Sequence, residues 1–147
     1  MSPQVKPVFS PEETLDFGQF LGQNLLPHHC FLLSGPLGAG KTCLVKGIGK
    51  ALGIEPDTIH SPTYGLHHVY QGHKMLHHFD LYRLQSTDEF CQRGFLDILD
   101  TEDPIVIEWP TKLDFKILAQ KNCVLIDITL INTHERLLKV TYDAHEL

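Results

Sequence analysis

The sequence predicts an α/β fold in which helices cover both faces of a mixed central sheet. Short apolar runs of the kind found in buried strands alternate with segments whose apolar residues recur at helical spacing. A glycine-rich stretch joins one such run to one such helix. Near the C-terminus, two alternating segments flank a polar turn, which is typical of an antiparallel hairpin. We therefore expect residues 1–147 to form one three-layer domain with a C-terminal hairpin.

Composition restricts the possible functions. The chain has 147 residues, 42% of them hydrophobic, and a net charge of −6, which argues against a surface that grips nucleic acid phosphates directly. No apolar stretch approaches the roughly 20 residues of a membrane span, and the N-terminus lacks a signal-peptide pattern. The four cysteines contain no CxxC pair, which favours free thiols in a reducing compartment. We expect a cytoplasmic protein without membrane contact.

The first predicted helix has strong boundary signals. Ser10 can cap it, Pro11 suits the first helical position, and Glu13 can complete a capping box. Apolar residues recur at helical spacing to about Leu26, and Pro27 ends the pattern.

A buried strand and a second helix follow. Residues 30–34, CFLLS, predict the strand, and the helix after the glycine-rich stretch ends at Leu52 with Gly53 as a left-handed cap. In the first helix, Gly18 and Gly22 either allow close helix packing or are simply tolerated.

A hairpin insertion is predicted over residues 66–82. Gly72 and His73 fit a two-residue turn, which would pair Val69 with Leu76. The other expected elements are a strand that begins near residue 58 and runs, within 58–64, into a loop broken by Pro62, a capped helix at 86–94, a strand at 105–108, and hairpin strands at 123–131 and 136–143.

The glycine-rich stretch predicts a phosphate site. Gly35, Gly40, Lys41 and Thr42 fit the pattern GxxxxGK[ST] between a strand and a helix. Glycines let successive backbone N–H groups approach phosphate oxygens, and the helix start adds its positive dipole end. Lys41 would reach the β and γ phosphates, and Thr42 would offer its hydroxyl to Mg²⁺. The alternative is an ordinary glycine-rich turn with a surface lysine.

Two acids at strand ends are candidates for chemistry. Asp80 and Glu108 each close an apolar strand, and ligands of α/β folds lie at the carboxyl edge of the sheet. Either acid could hold Mg²⁺ or orient water, or it could be an exposed strand end.

Several further residues have two readings. Ser61 and Thr63 lie in a hydroxyl-rich segment that is either a phosphate-sensing switch or a plain turn. Trp109 follows Glu108 directly and either packs beside the site or stacks on a partner. Four histidines of the predicted hairpin strands, His67, His68, His77 and His78, could in principle hold zinc, but neighbouring strand residues point to opposite faces, so at most two share a face.

The motifs taken together resemble the TsaE family, formerly called YjeE. The matching stretches lie between residues 10 and 110 and read SPEET, GPLGAGKT, SPTY, HHFDLYRL and VIEWP. The resemblance implies a P-loop ATPase of the bacterial cytoplasm that uses ATP and Mg²⁺ and acts with two proteins, TsaB and TsaD. These partners attach a threonylcarbamoyl group to a tRNA adenosine beside the anticodon, so tRNA contact would be indirect.

The resemblance also implies roles for individual residues. The implied catalytic residues are Lys41, Asp80, Glu108 and Trp109. The implied metal ligands are Thr42, Glu108 and Asp80. The implied nucleotide-binding residues are Gly35, Gly38, Ala39, Gly40, Lys41, Thr42, Cys43, Ser61, Thr63, Pro11 and Thr133, of which the last two would contact the adenine.

Other functions remain open from the residues alone. A small-molecule or nucleoside kinase would need an arginine-rich lid, which the sequence does not show, and a GTPase would need an NKxD motif. A non-hydrolysing ATP-sensing adaptor is a third possibility. The chain has only three arginines, Arg83, Arg93 and Arg136, so we expect slow hydrolysis alone and faster hydrolysis with partners.

Overall fold

The computed structural model describes residues 4–25, 29–62, 65–119 and 121–142. Seven strands and four α-helices follow one another along these segments. In chain order they are β1 (Gln4–Val8), α1 (Pro11–Leu25), β2 (His29–Ser34), α2 (Lys41–Ala51), β3 (His67–Gln71), β4 (Met75–Asp80), α3 (Thr87–Gln92), α4 (Leu96–Leu99), β5 (Ile105–Glu108), β6 (Asn122–Leu130) and β7 (Arg136–Thr141). No helix in the described segments is both long enough and apolar enough to span a membrane.

All seven strands form one mixed sheet in the order β1-β7-β6-β2-β5-β4-β3. β2 lies between β6 and β5 and is parallel to both, and β4 is parallel to β5. The outer strands β3, β7 and β1 pair antiparallel with their neighbours. The predicted α/β class, mixed sheet, hairpin insertion and C-terminal hairpin are confirmed.

The core lies on both faces of the sheet because strand residues alternate in direction. Phe31 and Leu33 of β2 pack with the buried residues of α1 and α2. Leu32 faces the other way and packs in a second cluster with Phe90 of α3 and Leu99 of α4. The two layers of helices hold β2, and therefore the loop that follows it, between them.

Close packing of α1 against α2 explains the glycines of the first helix. A Cβ on Gly18 would collide with the carbonyl oxygen of Leu44, and one on Gly22 would lie 2.7 Å from the Cβ of Ala51. Ser10 caps α1 as predicted, because its Oγ accepts a hydrogen bond of 3.1 Å from the Glu13 N–H. These contacts fix the start of α1 beside the glycine-rich loop.

The strand predicted at the start of 58–64 is wrong, whereas the loop expected there is irregular up to Pro62, its last described residue. Residues Pro56–Thr58 form a short 3-10 helix, and residues 59–62 have no regular structure. The hydroxyl of Tyr70 accepts from the His60 N–H and donates to the His60 carbonyl, both at 3.0 Å. A side chain thus satisfies the backbone groups that a neighbouring strand would otherwise pair.

The predicted register of the hairpin insertion is wrong by one residue. Val69 lies opposite His77, not Leu76, and the turn has three residues, 72–74. The His73 N–H donates a 2.7 Å hydrogen bond to the Leu52 carbonyl at the end of α2. This long-range contact sets the turn, and a local turn rule cannot predict it.

β1 was not predicted. Its five residues, QVKPV, are mostly exposed and carry a proline, so they show no alternation. Proline is tolerated there because β1 is the edge strand of the sheet.

Candidate functional site

The glycine-rich loop leaves β2 and enters α2 at Lys41. Gly38 and Gly40 have φ angles of +77° and +104°, which favour glycine over other residues. Gly40 is the N-cap residue of α2 and supplies no side-chain hydrogen bond, so the first-turn N–H groups of α2 receive no side-chain cap from it. An anion is the natural acceptor for N–H groups at the start of a helix.

Lys41 is the charged residue of this loop and is only 5% exposed. Its Nζ donates a 2.6 Å hydrogen bond to the Gly35 carbonyl and lies 3.8 Å from the centre of the Trp109 ring. Burial lowers the pKa of Lys41, while the negative charges of Glu108 and Asp80 act in the opposite direction. The Lys41 ammonium group is therefore partly shielded from solvent and lies near two carboxylates.

Asp80 and Glu108 lie side by side, because they are register partners on β4 and β5. Asp80 Oδ2 accepts a 2.6 Å hydrogen bond from Ser61 Oγ, and Oδ1 accepts from the Tyr82 N–H at 3.1 Å. These bonds hold the Asp80 carboxylate at the carboxyl edge of the sheet and tie the Ser61 segment to it.

Glu108 is 3% exposed and faces the buried His78. The distance between Glu108 Oε2 and His78 Nε2 is 2.5 Å. A buried carboxylate needs such a hydrogen-bond partner, because burial of an unpaired charge is costly.

Trp109 adopts a left-handed backbone conformation with φ 59° and ψ 53°, which is uncommon for a residue with a side chain. Its N–H donates to the Leu33 carbonyl of β2, and its ring lies 5.0 Å from the Tyr82 ring. The indole lies against the Lys41 ammonium group, so Trp109 borders the site, and its partly buried ring also packs against the core cluster that contains Leu32.

Two adjoining cavities surround the loop. The first, of about 280 Å³, is lined by Lys41, Thr42, Ser61, Asp80, Glu108 and Trp109, together with Leu37, Gly38, Gly40 and Cys43. The second, of about 450 Å³, is lined by Pro11, Thr14, Thr133, His134 and Arg136, together with Phe9, Ser10, Ala39 and the same Gly38, Gly40 and Cys43. Residues from both ends of the chain therefore converge on one loop.

Most of the predicted site residues lie in these two cavities. Gly35 lies outside their linings and accepts the Lys41 hydrogen bond through its carbonyl. Thr63 lies outside the described residues. Among the described residues, no group of three or more His, Cys, Asp or Glu side chains is arranged to hold a metal ion.

The sequence reasoning missed several residues of the site. His78 could have been found, because it lies two residues before Asp80 on a strand and therefore shares its face. Thr14 and Arg136 carry no local signal, since only the fold brings α1 and β7 to the loop. Arg136 holds the 132–135 turn, with its Nη1 donating to the Asn132 carbonyl at 2.8 Å.

Comparison with known proteins identifies the family. The family model described as "Threonylcarbamoyl adenosine biosynthesis protein TsaE" matches residues 8–138. The chain belongs to the TsaE family. The TsaE protein of Treponema pallidum is 40% identical over 68% of this chain and 73% of its own length. The TsaE protein of Rickettsia prowazekii is 33% identical over 89% of this chain and 90% of its own length.

A solved structure shows the same fold. The crystal structure of Bacillus subtilis YdiB matches with a TM-score of 0.69 over 97% of this chain and 87% of that chain. Sequence identity is 23%, so this likeness concerns the fold alone. Together with the TsaE match, it confirms the predicted P-loop architecture.

Proposed function

We propose that this chain is a Mg²⁺-dependent ATPase that supports threonylcarbamoyl modification of a tRNA adenosine beside the anticodon. It would act on a complex of TsaB-like and TsaD-like proteins in the cytoplasm and touch tRNA only through them. The observation that carries the ATPase proposal is the convergence of Lys41, Asp80 and Glu108 on one cavity at the mouth of the glycine-rich loop. Residues 1–147 would act as one P-loop ATPase domain, since strands from both ends share one sheet.

The loop suits a triphosphate. Backbone N–H groups from Gly38 to Cys43 would bind phosphate oxygens, and Gly38 leaves open space where a Cβ would stand. Lys41 would exchange its hydrogen bond to the Gly35 carbonyl for bonds to the β and γ phosphates. Because the Lys41 ammonium group is already held in the loop by the Gly35 carbonyl, it can bind an anion after this exchange without a large movement.

The acids suit a magnesium ion. Mg²⁺ prefers a few protein oxygens completed by phosphates and water, and it needs no cluster of side chains. Thr42, Asp80 and Glu108 line the same cavity and would supply such oxygens. Mg²⁺ would neutralise charge on the phosphate oxygens during hydrolysis. Asp80, held by Ser61 and the Tyr82 N–H, would orient the attacking water or the metal's water shell.

The second cavity suits the nucleoside. Pro11 and Thr133 lie on its wall beside Ala39 and Cys43 of the loop. A base placed there would lie against apolar side chains while its phosphates reach the loop. We propose the adenine site at this position.

No arginine lines the cavity that contains Lys41, as far as the described residues show. Arg93 forms an ion pair with Glu89 at 3.0 Å, and Arg136 bonds to the carbonyls of its own turn. An arginine supplied by a partner commonly stabilises the charge that develops during hydrolysis. We therefore propose that hydrolysis is slow until the partner proteins bind.

A reconstituted reaction tests this function. The purified chain is mixed with the two partner proteins, ATP, threonine, bicarbonate and unmodified tRNA, and modified adenosine is counted per complex. With this chain the count should exceed one, and without it turnover should stop near one. A count that does not change when the chain is left out contradicts the proposal.

One contact favours a second possibility, an ATP-sensing adaptor that does not hydrolyse. The Ser61 to Asp80 hydrogen bond ties a loop to the site, so nucleotide binding could move that loop. Pull-down of partners in ATP and in ADP, with phosphate release measured in parallel, separates the two. Nucleotide-dependent capture without turnover would favour the adaptor. A kinase has no comparable support, and transfer of phosphate to nucleosides would test it.

A further inference from the structure

His78 and Glu108 form a pair buried beneath the site. His78 is fully buried, and its Nε2 lies 2.5 Å from Glu108 Oε2. In the sheet, His78 is the register partner of Val106, two residues before Glu108. The imidazole therefore reaches along the same face of the sheet that carries Asp80 and Glu108 to the phosphate loop.

The surroundings of the second ring nitrogen, Nδ1, indicate which nitrogen of His78 carries the proton. Among the described residues, Nδ1 of His78 is a buried atom without a hydrogen-bond partner. A neutral ring with its proton on Nδ1 would bury an unpaired donor and turn the Nε2 lone pair against a carboxylate. The arrangement therefore requires a proton on Nε2 of His78, which donates it in a hydrogen bond to Glu108 Oε2.

The hydrogen bond from His78 fixes only one of the two oxygens of the Glu108 carboxylate. Glu108 Oε2 is engaged by His78, and in the described segments no hydrogen bond holds Oε1. Since Glu108 also lines the cavity beside Lys41 and Thr42, Oε1 is the atom left for a ligand. A carboxylate held in this way keeps one orientation without rearrangement when the ligand arrives.

We propose that His78 is a positioning residue that orients the Glu108 carboxylate toward Mg²⁺ bound with the nucleotide. The proposal rests on the proposed function, in which Glu108 serves the metal. Partners of this kind behind metal ligands typically contribute about 10- to 100-fold in metal affinity or activity when removed. The plain structural alternative is a buried pair that serves folding only.

Two substitutions of His78 by amide side chains distinguish the positioning role from a role in folding only. In His78→Gln the side-chain amide nitrogen can stand near the Nε2 position and keep donating to Glu108. In His78→Asn the amide nitrogen stands near Nδ1 and falls short. His77→Gln is the matched control, because His77 is the neighbouring buried histidine of β4 and pairs with His67 on the opposite face.

The measurement is the affinity for adenylyl imidodiphosphate by calorimetry, once with saturating Mg²⁺ and once with EDTA. The ratio of the two affinities reports the gain from Mg²⁺. We expect His78→Gln and His77→Gln to keep the wild-type ratio within about threefold, and His78→Asn to lower it about 10-fold or more. Affinity in EDTA should stay the same in all variants, and kcat should fall with the ratio.

The outcomes separate the two proposals. If the wild-type protein gains nothing from Mg²⁺, the proposed function fails and this proposal fails with it. If the wild-type gain is present and His78→Asn retains it, His78 serves folding only and the positioning role is overturned. An equal loss in Gln and Asn variants, or a loss in EDTA as well, overturns it too.

Discussion

Lys41 Nζ donates a 2.6 Å hydrogen bond to the carbonyl of Gly35, six residues earlier in the same loop. The bond closes the loop on itself, and the Trp109 ring covers the ammonium at 3.8 Å. Both contacts hold a positive charge in place where a phosphate would need it. The Lys41 ammonium group is therefore held by a carbonyl and an aromatic ring, which a phosphate can replace because it is a stronger hydrogen-bond acceptor.

Lys41→Ala should abolish nucleotide binding, because it removes the only lysine of the loop that lines the site. We expect affinity for a fluorescent ATP analogue to fall by at least about 100-fold, the loss of a charge-assisted bond to phosphate. Lys50→Ala, an exposed lysine on the same helix, is the control and should bind normally. Similar affinity of the two variants would contradict the phosphate role.

Glu108→Gln should separate binding from hydrolysis. The amide keeps an oxygen that can accept from His78, but it lacks the charge that Mg²⁺ prefers. We expect kcat to fall by about 10- to 100-fold, while affinity for the nucleotide measured without metal, in EDTA, falls less than about fivefold. Phosphate release and calorimetry on the same samples measure both. Equal losses in binding and hydrolysis would reject the assigned role of Glu108.

Trp109 gives a direct optical signal, because it is the only tryptophan of the chain. Nucleotide binding should draw Lys41 away from the indole and change its emission. The change should saturate with ATP and be absent in Lys41→Ala. A signal that persists in that variant would show that Trp109 responds to something other than the lysine.

Acid should weaken the hairpin insertion. Burial, followed by the neighbouring histidines, lowers the pKa of His67 from 6.5 to about 4. The unfolded chain therefore binds more protons than the folded chain between these values, so the free energy of unfolding falls as the pH drops from about 6.5 toward 4. His67 is only half-buried, so its share is on the order of 1 kcal/mol after allowance for solvent screening.

His67→Phe tests that share, because a phenyl ring can keep the stacking on Phe79 and the tilted contact with Phe95 without a titrating group. Urea unfolding at pH 7 and pH 4.5 should show a smaller difference for the variant than for the wild type. The exposed His134, changed to Gln, should leave the difference unchanged. If the stability of His67→Phe differs between pH 7 and pH 4.5 as much as that of the wild type, the pH dependence does not come from His67 and the assignment is contradicted.

The phosphate loop and the strand-end acids could be predicted because their signals are local. GPLGAGKT requires its glycines at fixed spacing, and Asp80 and Glu108 come directly after apolar strands. The adenine assignment of Pro11 and Thr133 came only from the family resemblance. The fold places both beside the loop, and their contact with a base stays a prediction.

What could not be predicted depends on contacts distant in sequence. The register of β3 and β4 depends on the bond from His73 to Leu52. β1 has no alternation and exists because β7 offers it an edge to pair with. Strand alternation places His78 on the face of Asp80, but its bond to Glu108, 30 positions away, depends on the pairing of β4 with β5.

The central claim is that the loop from Gly35 to Thr42 binds the phosphates of ATP with Mg²⁺. A crystal structure with adenylyl imidodiphosphate and Mg²⁺ tests it most directly. The account predicts phosphates against the N–H groups of Gly38 to Cys43, Lys41 Nζ moved from the Gly35 carbonyl to the β and γ phosphates, and Mg²⁺ near Thr42 and Glu108. A loop that stays empty at millimolar nucleotide, with Lys41 still on Gly35, would contradict it.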